Sequence, residues 1–135
     1  MNPKFPSPEW LQIFHEKLNA DEQYRRIAAK WEGDMVVVVE PDENFKDRLI
    51  YYWDLWHGQC KRVAVLESIK DEDPAFVITS TYNNFTQVLR GKLDPMQALL
   101  TRKLKLKGNL AVMMRNVPVV LDFVRCAREI TDEIL

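Results

Sequence analysis

Residues 101–118 read TRKLKLKGNLAVMMRNVP, and the hydrophobic period changes inside them. Lys103, Lys105 and Lys107 alternate with Leu104 and Leu106, the period of a half-buried strand that keeps its lysines in water. At Gly108-Asn109 the chain turns and Asn109 can cap, after which Leu110, Met113, Met114 and Val117 share one face of a helix. One segment therefore supplies a strand and the helix that folds back over the core beneath it. That pairing points to a sheet with helices segregated toward one face.

The rest of the chain fits this frame. Ser7 and Pro8 open a first helix whose stripe is Trp10, Ile13, Phe14 and Leu18. A second starts at Asp21, carries Tyr24, Ile27, Ala28 and Trp31, and stops at Gly33. Met35 to Val39 (MVVVV) is a β-branched run suited to a central strand buried on both faces. Asp47 to Gly58 places Leu49, Tyr51, Trp53 and Leu55 on one face and Ile50, Tyr52 and Trp56 on the other. His57-Gly58-Gln59 turns it into the partner strand Arg62 to Ser68, and the acidic DEDP turn leads to Ala75 to Ser80. Ser80 or Thr81 caps a helix that Gly91 closes, and Asp94-Pro95 starts another. Beyond Pro118 the tail carries Val120, Phe123, Val124, Ala127 and Ile134 on one side. We expect this tail helix to lie across the mouth of the apolar interior as a lid, with Arg125, Arg128, Glu129 and Asp132 outward, or else to be a structural end helix that seals the core permanently.

Composition sets limits on function. The 135 residues are 47% hydrophobic and 29% charged, enough for one domain over 1–135 with its own core. Nineteen Lys and Arg against twenty Asp and Glu leave a net charge of -1, so no global basic excess points to nucleic acid. The opening MNPKFPSPEW has no apolar or Arg-rich targeting pattern, and no run of about eighteen apolar residues could cross a bilayer. Two cysteines without CxxC spacing fit a reducing compartment, so a cytoplasmic location is expected.

Chemistry has little to stand on. His15 and His57 lack metal-ligand companions, and no GxSxG, phosphate loop or dinucleotide fingerprint occurs. Asp54 and His57 can meet near a strand end without an evident nucleophile. Cys60 beside Lys61 and Arg62 is either a thiol of lowered pKa or a plain turn cysteine. No catalytic residue, metal or cofactor is expected, and the chain reads as a non-enzyme.

The stretch PAFVITSTYNNFTQVLRGKLDPMQALLTRKLKLKGNLAVMM, which runs from Pro74 to Met114, carries a resemblance. Gly91-Lys92-Leu93-Asp94-Pro95, Ala98 and Lys103 to Asn109 resemble the signature half of the sterol carrier protein type 2 (sterol-binding domain) family. Arg102 stands where that family usually has glycine. The resemblance implies an α+β fold, a five-stranded, mixed but mostly antiparallel sheet covered on one side by helices and enclosing an apolar lipid tunnel. It implies an intracellular lipid-binding or lipid-transfer protein for a sterol-like, fatty-acyl or other long apolar ligand. The alternative is a non-catalytic accessory or interaction subunit of a lipid-metabolising enzyme complex.

Under that reading the ligand contacts fall on two groups. Trp53, Trp56, Phe76, Ile78 and Phe123 supply bulk, while Met96, Leu99, Leu100, Leu110, Met113 and Met114 supply flexible or aliphatic walls, each equally at home in an ordinary core. Lys103, Lys105, Lys107 and Arg115 either touch anionic membrane head groups transiently or protect a sheet edge from aggregation.

Overall fold

The computed structural model describes residues 3–135; Met1 and Asn2 of the expected domain lie outside the described residues. In chain order the elements are β1 (Lys4–Phe5), α1 (Pro8–Ala20), α2 (Glu22–Ile27), β2 (Met35–Glu40), β3 (Leu49–Trp56) and β4 (Gln59–Val65). After a 3-10 turn at Ile69–Asp71 come β5 (Phe76–Thr81), α3 (Tyr82–Leu89), α4 (Pro95–Leu100), β6 (Leu104–Lys107), α5 (Leu110–Arg115), α6 (Val117–Glu129) and β7 (Glu133–Ile134).

Five strands form one sheet in the order β4-β3-β2-β5-β6. β2 pairs parallel with β5, Val37 opposite Ile78, and the other three pairings are antiparallel. The valine run is central because every one of its side chains is apolar, so both faces can be covered. On one face Val36, Val38, Ile50 and Tyr52 are buried with Leu66 of the crossover from β4 to β5. On the other, Val37, Val39, Tyr51, Trp53 and Leu55 join the apolar faces of the helices in the main core.

Local chemistry places the turns and caps. Ser7, Thr81, Asp94 and Asn109 each accept a backbone N–H in the first turn of their helices, the last from Val112 N at 3.2 Å. Gly58, with φ +81, closes the β3–β4 hairpin, and a Cβ there would lie 2.5 Å from Arg25 O. Gly108 has φ +140, and its absent Cβ would stand 2.7 Å from Ala75 O, so only glycine lets β6 reach α5 against β5. Arg102 also has a left-handed backbone, φ +62, at the exit from α4. That is the position after a helix where glycine costs least.

Three features depart from the sequence reading. α2 ends at Ile27 rather than running to Trp31, which is buried separately with its indole N–H donating to Gly33 O at 2.9 Å. The tail helix ends at Glu129, and Ile134 belongs to β7, not to the helical stripe. β7 pairs parallel with β1, and Leu135 N donates to Phe5 O at 2.9 Å. This two-stranded clip joins the two ends of the described chain.

Candidate functional site

The inner sheet face and the helices do not close completely on each other. Between them lies a cavity of about 90 Å³. Its floor is Met35, Val37, Leu55, Ile78 and Leu104, side chains of one pleat face across four strands. α6 forms the opposite wall with Val119, Val120, Phe123 and Val124. Phe85 and Val88 from α3, Pro95 and Leu99 from α4, and Met113 from α5 complete the sides, with Tyr24 and Trp31 at one end. None of these residues is charged. Burial, the leading cause, raises the Tyr24 phenol above its ordinary pKa, so that group is a neutral hydroxyl too. Such a lining offers dispersion and exclusion from water, and no general acid, base or nucleophile.

The eleven side chains expected to meet a ligand divide three ways. Ile78, Leu99, Met113 and Phe123 stand on the cavity wall. Trp53, Phe76 and Met96 are buried behind or beside it: Trp53 packs edge-on against Phe123 at 5.4 Å, Phe76 lies 5.4 Å from Trp31, and Met96 belongs to a second cluster with Val88 and Leu99. Trp56, Leu100, Leu110 and Met114 are exposed, Leu100 to 61%. A six-residue helix buries one narrow stripe, so Leu99 going in sends its neighbour Leu100 out, and Met113 does the same to Met114. Sequence reasoning missed Tyr24, Trp31, Met35, Val37, Leu55, Phe85 and Val88. For Met35, Val37 and Leu55 the signal was the pleat phase, since Val37 and Leu55 share the face of Ile78 once the strands are registered.

α6 is held firmly at its outer side. Arg125 donates to Asp21 at 2.6 Å, to Asp122 at 2.8 Å and to Glu129 at 2.8 Å. Lys17 bridges Asp21 and Glu129 at 3.0 and 2.9 Å, and Gln23 donates to Asp122 at 2.8 Å. The Arg125 guanidinium holds the Asp21 carboxyl well below the usual carboxylate range, and Lys17 lowers Glu129. Arg128 donates to Val88 O at 2.9 Å. Arg125 and Arg128, expected to face outward, are therefore turned onto neighbouring elements. For Arg125 the reason is electrostatic: Asp122 is buried on the same helix and is paired with its guanidinium. These contacts, with β7 paired to β1 just beyond its C-terminal end, anchor α6 along the side of the cavity.

The remaining chemical candidates are accounted for by ordinary contacts. His57 bonds Glu32 at 2.6 Å rather than Asp54, and His15 bonds Cys60 O at 2.8 Å. Burial pushes the Cys60 and Cys126 thiols up to about 12, so Cys60 is not activated by Lys61 and Arg62. Asp21, Asp122 and Cys126 lie close enough to share a cation, and Arg125 already serves as that cation. Trp53 Nε1 is buried with no hydrogen-bond partner among the described residues. Among those residues no helix is long and apolar enough to cross a membrane.

The four expected surface cations are exposed: Lys105 and Lys107 on the edge strand β6, Lys103 immediately before it, and Arg115 at the end of α5.

Comparison with known proteins gives a consistent picture. The SCP-2 sterol transfer family matches residues 11–120. A crystal structure of sterol carrier protein 2 is 32% identical with a TM-score of 0.85, covering 95% of this chain and 100% of that one. The solution structure of a conserved hypothetical protein from Thermus thermophilus is 30% identical with a TM-score of 0.85, covering 97% and 94%. Sterol carrier protein 2 from Yarrowia lipolytica, in its apo form, shares the fold at 19% identity and a TM-score of 0.63, covering 95% and 96%. No match is found among curated protein sequences.

Proposed function

The chain belongs to the SCP-2 sterol transfer family, and from that premise we propose that it is a non-catalytic carrier that binds one long apolar lipid between its sheet and its helices. The observation that carries this reading is the cavity itself, lined entirely by uncharged and mostly aliphatic or aromatic side chains at the centre of the fold.

Its size says how binding must proceed. A dry apolar cavity of roughly 150 Å³ holds one benzene, so about 90 Å³ leaves no room for a sixteen-carbon chain until the wall yields. α6 is tied down by Arg125 and by β7, whereas α4 and α5 are six residues each. We infer that loading displaces α4 and α5, the flexible Met113 among them, and widens the cavity toward a tunnel. Burial of about sixteen carbons offers ~13 kcal/mol gross at ~0.8 kcal/mol per methylene. Association and ordering remove several kcal/mol or more, leaving affinity in the micromolar to nanomolar range.

A cavity-filling variant tests the assignment. Val120→Phe adds bulk to the wall without charge, so it should remain folded, with equal or higher thermal stability. Binding of a fluorescent long-chain fatty acid should fall at least tenfold. Undiminished binding by the folded variant would place the ligand elsewhere.

A further inference from the structure

Leu99 and Leu104 line the internal cavity and also line a groove on the outside of the molecule. This groove continues over Arg102, Lys105, Leu106 and Leu110. At the seam between α4 and β6 the cavity wall is therefore a single layer of side chains, and beyond it lies a surface of unusual chemistry. Leu100 and Leu110 are exposed beside it, at 61% and 46%. Arg102, Lys103, Lys105, Lys107 and Arg115 are exposed as well, and none of them makes an ion pair among the described residues. No acidic residue occurs between Pro95 and Leu121. β6 is an edge strand, and no further strand pairs with its outer side among the described residues.

Protecting the edge needs lysines, but does not need exposed leucines among them. Nor does it need Arg102 in a left-handed backbone that is strained for a non-glycine residue. Cations around apolar side chains, next to the wall of an apolar cavity, match a surface that is anionic outside and hydrocarbon within. We propose that the face running from α4 through β6 to α5 docks on an anionic lipid bilayer and opens the cavity to it between Leu99 and Leu104. This rests on the lipid-carrier reading above and names the route by which that carrier exchanges its load. The leucines enter the head-group layer while the cations meet phosphate and carboxylate groups.

Cosedimentation with phosphatidylcholine vesicles, with and without phosphatidylserine, tests it. Wild-type protein should sediment only with the phosphatidylserine vesicles, and less as salt is raised. Each cation near such a surface contributes about fivefold. Lys103→Gln/Lys105→Gln/Lys107→Gln should therefore lose about a hundredfold in partitioning. Lys30→Gln/Lys46→Gln/Lys70→Gln, which removes the same charge elsewhere on the surface, should keep most of the binding. Because both native thiols are buried, an environment-sensitive dye on Leu110→Cys reports this face alone, and its emission should shift to the blue on docking. Fatty-acid binding in vesicle-free buffer, read on the same samples, separates the two readings. If fatty acid binds but wild type ignores anionic vesicles, or the control triple loses as much as the β6 triple, or the dye on Leu110→Cys does not respond, the docking face is refuted and the carrier stands. If vesicles bind by this face and fatty acid does not, the carrier reading fails.

Discussion

Arg102→Gly should make the protein more stable. Arg102 has φ +62, follows the last turn of α4, and makes no ion pair or side-chain hydrogen bond among the described residues. An L-residue in the left-handed region costs roughly 1–2 kcal/mol, which glycine avoids. Glycine also loosens the unfolded chain, at about 0.4–1 kcal/mol. The difference is a net gain of about 0.8 kcal/mol. In urea, with a slope of about 1.5 kcal/mol/M, the midpoint should rise by about 0.5 M at unchanged slope. A thermal midpoint should rise by about 2–3 °C. Arg102→Ala is the control, because it removes the charge and keeps the strain, and it should show no such gain. An unchanged or lowered midpoint for Arg102→Gly, or an equal rise for Arg102→Ala, would refute the reasoning that backbone strain is stored at this residue.

The α6 anchorage yields two further expectations, and the buried thiols a third. Arg125→Ala leaves the buried Asp122 carboxylate without its guanidinium, and should cost about 2–3 kcal/mol by urea unfolding, reduced from a fully buried pair because Arg125 is partly exposed. Asp21 and Glu129 are held below their ordinary pKa in the fold. Their contribution is therefore complete above about pH 5 and is lost as pH falls through the carboxylate range, so thermal stability should fall from pH 5 downward, and less steeply in Asp21→Asn. Cys60 and Cys126, buried with thiols pushed up to about 12, should resist an aromatic disulfide reagent at pH 8 in the native protein and react fully in denaturant; rapid native reaction would show that one of them is accessible.

Local pattern carried the main sheet. The alternation at 103–107, the valine run at 35–39 and the turn at 57–59 each appear where the period of apolar residues places them, because a pleat or a helix face is read over a few neighbouring residues. What sequence could not show were contacts that depend on register between distant segments. β1 and β7 are two residues each, too short for any period, and exist because Phe5 and Ile134 meet across the fold. Arg125 reads as a surface cation until α6 is seen to set Asp122 inward and Asp21 beside it. The cavity wall was visible only in small part for the same reason: adjacent pairs such as Leu99 and Leu100 look equally apolar, and only the packing of α4 on β6 decides which one faces in.

The order in which the cavity wall is laid down along the chain bears on how the protein is made. The floor of the cavity, from Met35 to Leu104, emerges from the ribosome before α6, which is its far wall and is tied down only when β7 reaches β1. Until then an apolar trough stands open to water, with the seam beside β6 still unsupported. During synthesis the chain must pass through a stage that exposes the apolar lining of the later cavity, and that stage is where chaperones, stray lipid or another nascent copy compete for it.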